Sequence, residues 1–171
     1  MKFFYLGFVV FFLSLNLRPS ITSVGPLLDI IQKDLGMSGV TASLITTLPV
    51  LCMGLFALLS ITLSQRFGLE RALFVSMVMI FAATAFRAAV NDSVSLLATA
   101  LISGIGIGIA GPLLSGFIKK HFPGRPGATS IYSVSLVIGA AVASSLSIPI
   151  FEGLHQSWQY ALCVWAGLAV I

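Results

Sequence analysis

Long apolar stretches recur along the whole chain, separated only by short polar punctuation. They fall at about residues 3–31, 40–64, 72–89, 94–118, 128–151 and 158–171. An α-helix needs ~20 residues to cross ~30 Å of hydrocarbon, and the first five stretches approach or exceed that length. The runs are continuous and do not alternate, which excludes a transmembrane β-barrel. Composition points the same way. Of 171 residues, 58% are hydrophobic and 8% charged, against roughly 45–50% and about 25% in soluble domains. The pattern predicts an all-α membrane protein of six transmembrane helices in a lipid bilayer. It excludes a soluble enzyme fold, a disordered chain and a disulfide-stapled secreted domain.

The sixth stretch offers only fourteen residues, so the chain reads as a fragment or a truncated reading frame. The first stretch follows Lys2 as a signal peptide would, but Leu17-Arg18-Pro19-Ser20 stands where a small-residue cleavage site belongs. It is expected to remain as the first helix. Loop charges set an orientation. With the N-terminus inside, one side carries Lys2, Arg66, Arg71, Lys119, Lys120 and Arg125 against Glu70; the other carries Lys33 against Asp29, Asp34, Asp92 and Glu152. Such an excess of basic residues marks the cytoplasmic side. The net charge of +4 therefore reflects topology, and no basic-aromatic patch suggests nucleic acid as a partner.

Gly25-Pro26-Leu27-Leu28 recurs as Gly111-Pro112-Leu113-Leu114, 86 residues later. With three helices per half, the two copies cross the membrane in opposite directions, the pattern of an inverted 3+3 repeat common in secondary transporters. The Gly-Pro pairs also predict kinks or local unwinding in the first and fourth helices.

Arg18 lies near the middle of the first stretch. A central arginine costs ~2.5–3.5 kcal/mol on insertion scales and so normally faces a cavity or a partner. Ser14, Thr22, Gly25 and Asp29 stand at helical spacings from it and complete a polar stripe, while Asn16 lies off the stripe and is expected to bond a neighbouring helix. Arg18, with Ser14 and Thr22 beside it, is the candidate solute contact. Arg87 is different: it falls near the outer end of the third helix, where its side chain can snorkel to the interface or meet Asp92.

Gly106-x-Gly108-x-x-Gly111 has dinucleotide-binding spacing but lies inside an apolar helix with no following acidic residue, so that reading is rejected. Gly104, Gly108 and Gly111 share a helix face, as do Ser135, Gly139, Ala143 and Ser147; both stripes predict close helix packing. The carboxylates all lie near membrane surfaces, and His121 and His155 fall in opposite loops. No nucleophile–base pair, metal site or cofactor motif is visible, so no enzyme activity, metal or cofactor is expected. Cys52 and Cys163 lie in apolar runs and read as small buried hydrophobes.

Together these residues resemble a known family. Six helices with inverted repeats, an Arg-Gly-Arg loop after the second helix and Trp158 opening the sixth resemble the N-terminal half of a major facilitator superfamily transporter. Asn16-Leu17-Arg18-Pro19, Thr22-Ser23-Val24-Gly25-Pro26-Leu27-Leu28, Leu48-Pro49-Val50 and Gly104-Ile105-Gly106-Ile107-Gly108-Ile109 are similar to the cyanate and nitroimidazole transporter branch. Of the superfamily loop motif, Arg66, Gly68 and Arg71 are kept, whereas Ile61, Gln65 and Glu70 replace its first glycine, its aspartate and one basic residue. The resemblance implies that residues 1–171 form one N-terminal bundle, that its first and fourth helices line a central cavity, and that a C-terminal six-helix half is its partner. The function then expected is alternating-access transport of a small, anionic or polar solute. A non-transporting bundle, whether an assembly scaffold or an inert truncation product, is the alternative. Such a bundle does not require a buried Arg18.

Overall fold

The computed structural model describes residues 2–124, 126–154 and 157–169. Arg125 of the loop-charge count, His155 and the last two residues of the sixth stretch lie outside them. Every regular element among the described residues is helical: α1 (Lys2–Leu17), α2 (Pro19–Thr22), α3 (Val24–Asp34), α4 (Gly39–Phe67), α5 (Leu69–Phe86), α6 (Ser93–His121), α7 (Pro126–Gly153) and α8 (Trp158–Cys163), with 3-10 turns at Arg87–Ala89 and Val164–Ala169. Among the described residues five spans are long and apolar enough to cross a membrane, the first of them Tyr5–Asp34, built from α1, α2 and α3. The sixth segment, α8 with its 3-10 continuation, is shorter.

Helix ends follow capping chemistry more closely than hydropathy, so several helices run past the apolar stretches. Ser38 accepts from the Thr41 amide at the start of α4. Asp92 does the same for α6, accepting from the Ser95 hydroxyl at 2.6 Å and the Ser95 amide at 2.8 Å. Those two bonds hold its carboxyl below the usual range. Between α4 and α5 the chain reverses at Gly68, whose φ of 86° and ψ of 147° belong to a region that only glycine occupies readily. This accounts for the retained glycine of the loop motif.

α6 is the central helix. Its apolar window is 56% buried, against 22% for α4 and α7. The approach to its neighbours is close because side chains are missing. A Cβ on Gly104 would sit 2.6 Å from Pro49 Cα, and one on Gly108 would sit 2.9 Å from Met53 Cα, both on α4. Gly106, outside the expected stripe, meets α5 at Ile80 and Ser76. Gly111 has nothing within 4 Å. On α7, Ser135, Gly139, Ala143 and Ser147 are all buried, and a Cβ on Gly139 would overlap the Leu15 carbonyl oxygen of α1.

The first span departs most from its expected form. It is interrupted at Arg18 and again at Ser23, ahead of the Gly25-Pro26 pair, and α6 passes through Pro112 without interruption. The local unwinding expected in the first helix is therefore present, just upstream of its Gly-Pro pair, whereas the one expected at Gly111-Pro112 is not. A proline's missing amide and ring crowd the carbonyl four residues earlier. Pro19 thus acts on Leu15 and Pro26 on Thr22, which places the breaks upstream of the prolines. α4 and α7 likewise run uninterrupted through Pro49 and Pro149.

Two contacts tie the ends of the bundle. Trp158 Nε1 donates to Asp34 Oδ2 at 2.6 Å, joining α8 to the end of the first span over a core of Val24, Leu27, Ile31 and Leu162. At the other end Lys120 pairs with Glu70 at 3.6 Å across an exposed surface, a contact that contributes little.

The glycine contacts make a stability prediction. Gly104→Ala and Gly139→Ala should each cost about 1–3 kcal/mol through overpacking, lowering the melting temperature of the detergent-purified chain by roughly 2–4 °C per kcal/mol. Gly111→Ala should leave it unchanged. Equal melting of all three variants would contradict the packing described.

Candidate functional site

Arg18 stands at the break between α1 and α2, with φ −94° and ψ −38°. Its carbonyl accepts from the Ile21 and Thr22 amides, each at 3.0 Å, so the backbone turns tightly there. The side chain is exposed and borders two cavities. One, of about 310 Å³, lies between the first span, α4, α6 and α7, and is bordered by Met53, Ile107, Gly111, Ser115 and Tyr132. The other, of about 420 Å³, lies along α7 beside Leu136, Ala140 and Ser144. Both are walled mainly by apolar side chains. Among the described residues no carboxylate lies within ion-pair distance of Arg18. Among the described residues the guanidinium therefore presents open donors at an apolar cavity, a setting in which a charge-assisted hydrogen bond to an anion is strong.

The other expected contacts are arranged differently. Ser14 is completely buried and donates to the Val10 carbonyl. Thr22 is half-buried and its hydroxyl bonds the Arg18 carbonyl at 3.0 Å. Neither borders the two cavities. Helical spacing gives a direction around one helix and says nothing of which neighbour covers it; the short serine is covered, while the long arginine is exposed. Asn16 is also buried.

Two polar residues at the cavity were missed. Gly111 and Ser115 stand four residues apart and so share a face of α6, which was a usable signal. Tyr132 brings a phenol hydroxyl from α7. Its position inside an apolar run carried no separate mark. The Gly111-Pro112 copy of the repeated tetrapeptide borders the cavity, and the missing side chain at Gly111 leaves room there.

Arg87 requires a correction. It neither snorkels nor meets Asp92. It is 1% exposed, with Nη1 donating to the Ser20 carbonyl at 2.6 Å and Nε to Thr99 Oγ1 at 3.4 Å. The 3-10 turn at Arg87–Ala89 ends α5, and the break in the first span supplies an acceptor that no sequence pattern reveals.

Residues 4–171 match the family model of the Major Facilitator Superfamily. The chain belongs to the major facilitator superfamily. It is 37% identical over 169 residues to the uncharacterized transporter YycB of Bacillus subtilis (strain 168), covering 98% of this chain and 42% of that one. It is 34% identical over 164 residues to the cyanate transport protein CynX of Escherichia coli (strain K12), covering 95% and 42% of the two chains. The 2-nitroimidazole transporter of the same organism is 34% identical over 155 residues, covering 90% and 39%. In fold the chain is similar to the inward-open xylose transporter XylE from E. coli, with a TM-score of 0.85 at 15% identity over 98% of this chain and 45% of that one. The chain thus spans about two-fifths of the length of these superfamily relatives and matches their N-terminal half.

The cavity geometry is open to a direct test. In a chain lacking Cys52 and Cys163, single cysteines at Arg18 and Ser115 should react with a small methanethiosulfonate at least tenfold faster than one at Ser14. Comparable rates at all three positions would contradict the assignment of Ser14 to the packed interior.

Proposed function

We propose that the chain is the N-terminal six-helix half of an alternating-access secondary transporter for a small anionic or polar solute. The observation that carries this reading is Arg18: a mid-span arginine, unpaired with any carboxylate among the described residues, at an apolar cavity of about 310 Å³. A cation in that position is costly unless something is gained from it. A planar guanidinium can hold a carboxylate-like or similarly flat anion by two parallel hydrogen bonds. Ser115 and Tyr132 supply hydroxyl partners from facing helices. Thr22 then acts one step removed, by bonding the Arg18 carbonyl, whereas the Ser14 hydroxyl is directed to Val10. The relatives named for cyanate and for 2-nitroimidazole transport support a small, nitrogen-bearing solute.

The second wall of the cavity comes, in this reading, from a C-terminal six-helix half, and transport follows from one bundle rocking against the other. Arg66, Gly68 and Arg71 form the loop that participates in gating at the cytoplasmic side. With Gln65 in place of the motif's aspartate, that loop lacks one acidic partner. The N-terminus is cytoplasmic, by the loop charges.

Orientation and site are tested separately. In intact cells, a cysteine at Lys33 should react with an impermeant thiol reagent and one at Lys119 should not; the reverse pattern would overturn the orientation. For the site, cyanate and 2-nitroimidazole serve as probes in binding measurements on the completed twelve-helix protein, purified and monodisperse. Arg18→Ala should weaken binding by roughly ten- to a hundred-fold, as expected for loss of a charge-assisted contact of about 1.5–3 kcal/mol. Arg18→Lys should lie between. Affinity within twofold of the parent for the alanine variant would remove Arg18 from the site.

A further inference from the structure

Arg87 borders neither cavity, yet it is among the most deeply buried side chains of the bundle. A buried guanidinium is ordinarily held by an anion. Here, among the described residues, no carboxylate lies within ion-pair distance of it. Its partners are instead the Ser20 carbonyl and the Thr99 hydroxyl. Ser20 lies within α2, the four-residue segment isolated between the turns at Arg18 and Ser23. In an uninterrupted helix the Ser20 carbonyl would accept from the Val24 amide. At the break it accepts from Arg87, which reaches in from the end of α5.

We propose that Arg87 is a positioning residue that pins α2 and so fixes the direction in which Arg18 leaves the first span. Arg18 is tied to α2, because its carbonyl accepts from both the Ile21 and Thr22 amides. Thr99 ties the same guanidinium to α6, the helix that carries Gly111 and Ser115 to the cavity. One side chain thereby joins the end of α5, the broken span and the cavity wall. The Ser20 and Ser23 hydroxyls, buried at the same break without hydrogen-bond partners among the described residues, leave α2 few other polar tethers. The assignment rests on the position of Arg18 and holds whatever the solute.

The test uses the 171-residue chain in nanodiscs, with Arg87→Met and Arg87→Lys. Methionine replaces the buried charge with an apolar chain of similar length and leaves the Ser20 carbonyl without its donor. Lysine keeps a charge but cannot hold two separated acceptors in one planar fork. Amide hydrogen exchange between Ser20 and Leu27 should be at least tenfold faster in Arg87→Met and about threefold faster in Arg87→Lys, with α6 between Leu96 and Leu114 unchanged. The modification rate of a cysteine at Arg18, in the background lacking Cys52 and Cys163, should shift at least threefold with Arg87→Met. Parent-like exchange and labelling would overturn the proposal, as would loosening of α6 equal to that of α2, which would make Arg87 a general packing residue. Should Arg87→Met not fold, Arg87→Lys decides alone: faster exchange confined to the break supports the assignment, and exchange that is parent-like or raised throughout overturns it.

Discussion

Inside hydrocarbon every backbone carbonyl and amide must find a partner within the protein, and the first span breaks this requirement twice. Pro19 and Pro26 each remove an amide and displace the carbonyl four residues earlier. Much of the bundle's arrangement answers that disturbance. The Leu15 carbonyl, released by Pro19, faces the Cα of Gly139, where any larger residue would overlap it; such Cα–H···O approaches are weakly favourable and let backbones come close. The Ser20 carbonyl is met by Arg87. Each answer draws a different helix onto the first span, α7 in one case and the end of α5 in the other.

The same break sets up the candidate site. A continuous helix would carry Arg18 as one more residue on a rotating face. A span divided at Arg18 and Ser23 instead places the guanidinium at the start of an isolated turn, beside an open cavity bordered by α4, α6 and α7. Glycines at 104, 106 and 108 draw α6 tightly against α4 and α5, and Gly111, one turn on, keeps the cavity open. Small residues therefore serve two ends along one helix: contact for most of its length, and space at the site.

Much of this was legible in the residues because hydrocarbon imposes blunt rules. Long apolar runs mark spans, and a central arginine marks a place of interest. The small-residue stripes on α6 and α7 mark sides where backbones can approach. What was not legible depended on tertiary geometry. Arg87 sits where snorkelling is the ordinary outcome, and its acceptor exists only because another helix is broken. Ser14 shares the direction of Arg18 around the helix, but burial is decided by the neighbour and by side-chain length. The break itself was displaced from the Gly-Pro pair, because proline acts on the carbonyl one turn upstream. Tyr132 stands four residues before Leu136, which lines the same cavity, but nothing in one dimension sets that face of α7 beside Arg18.

The central claim is that the proline break, and not Arg18 alone, makes the site. The direct measurement is binding of cyanate and 2-nitroimidazole by a Pro19→Ala/Pro26→Ala variant of the completed twelve-helix protein, with hydrogen exchange at the Val24 amide reporting whether the helix has closed. With Arg18 intact but the ladder restored, exchange at that amide should slow and affinity should fall at least tenfold. A closed helix that binds with the parent's affinity would contradict the account.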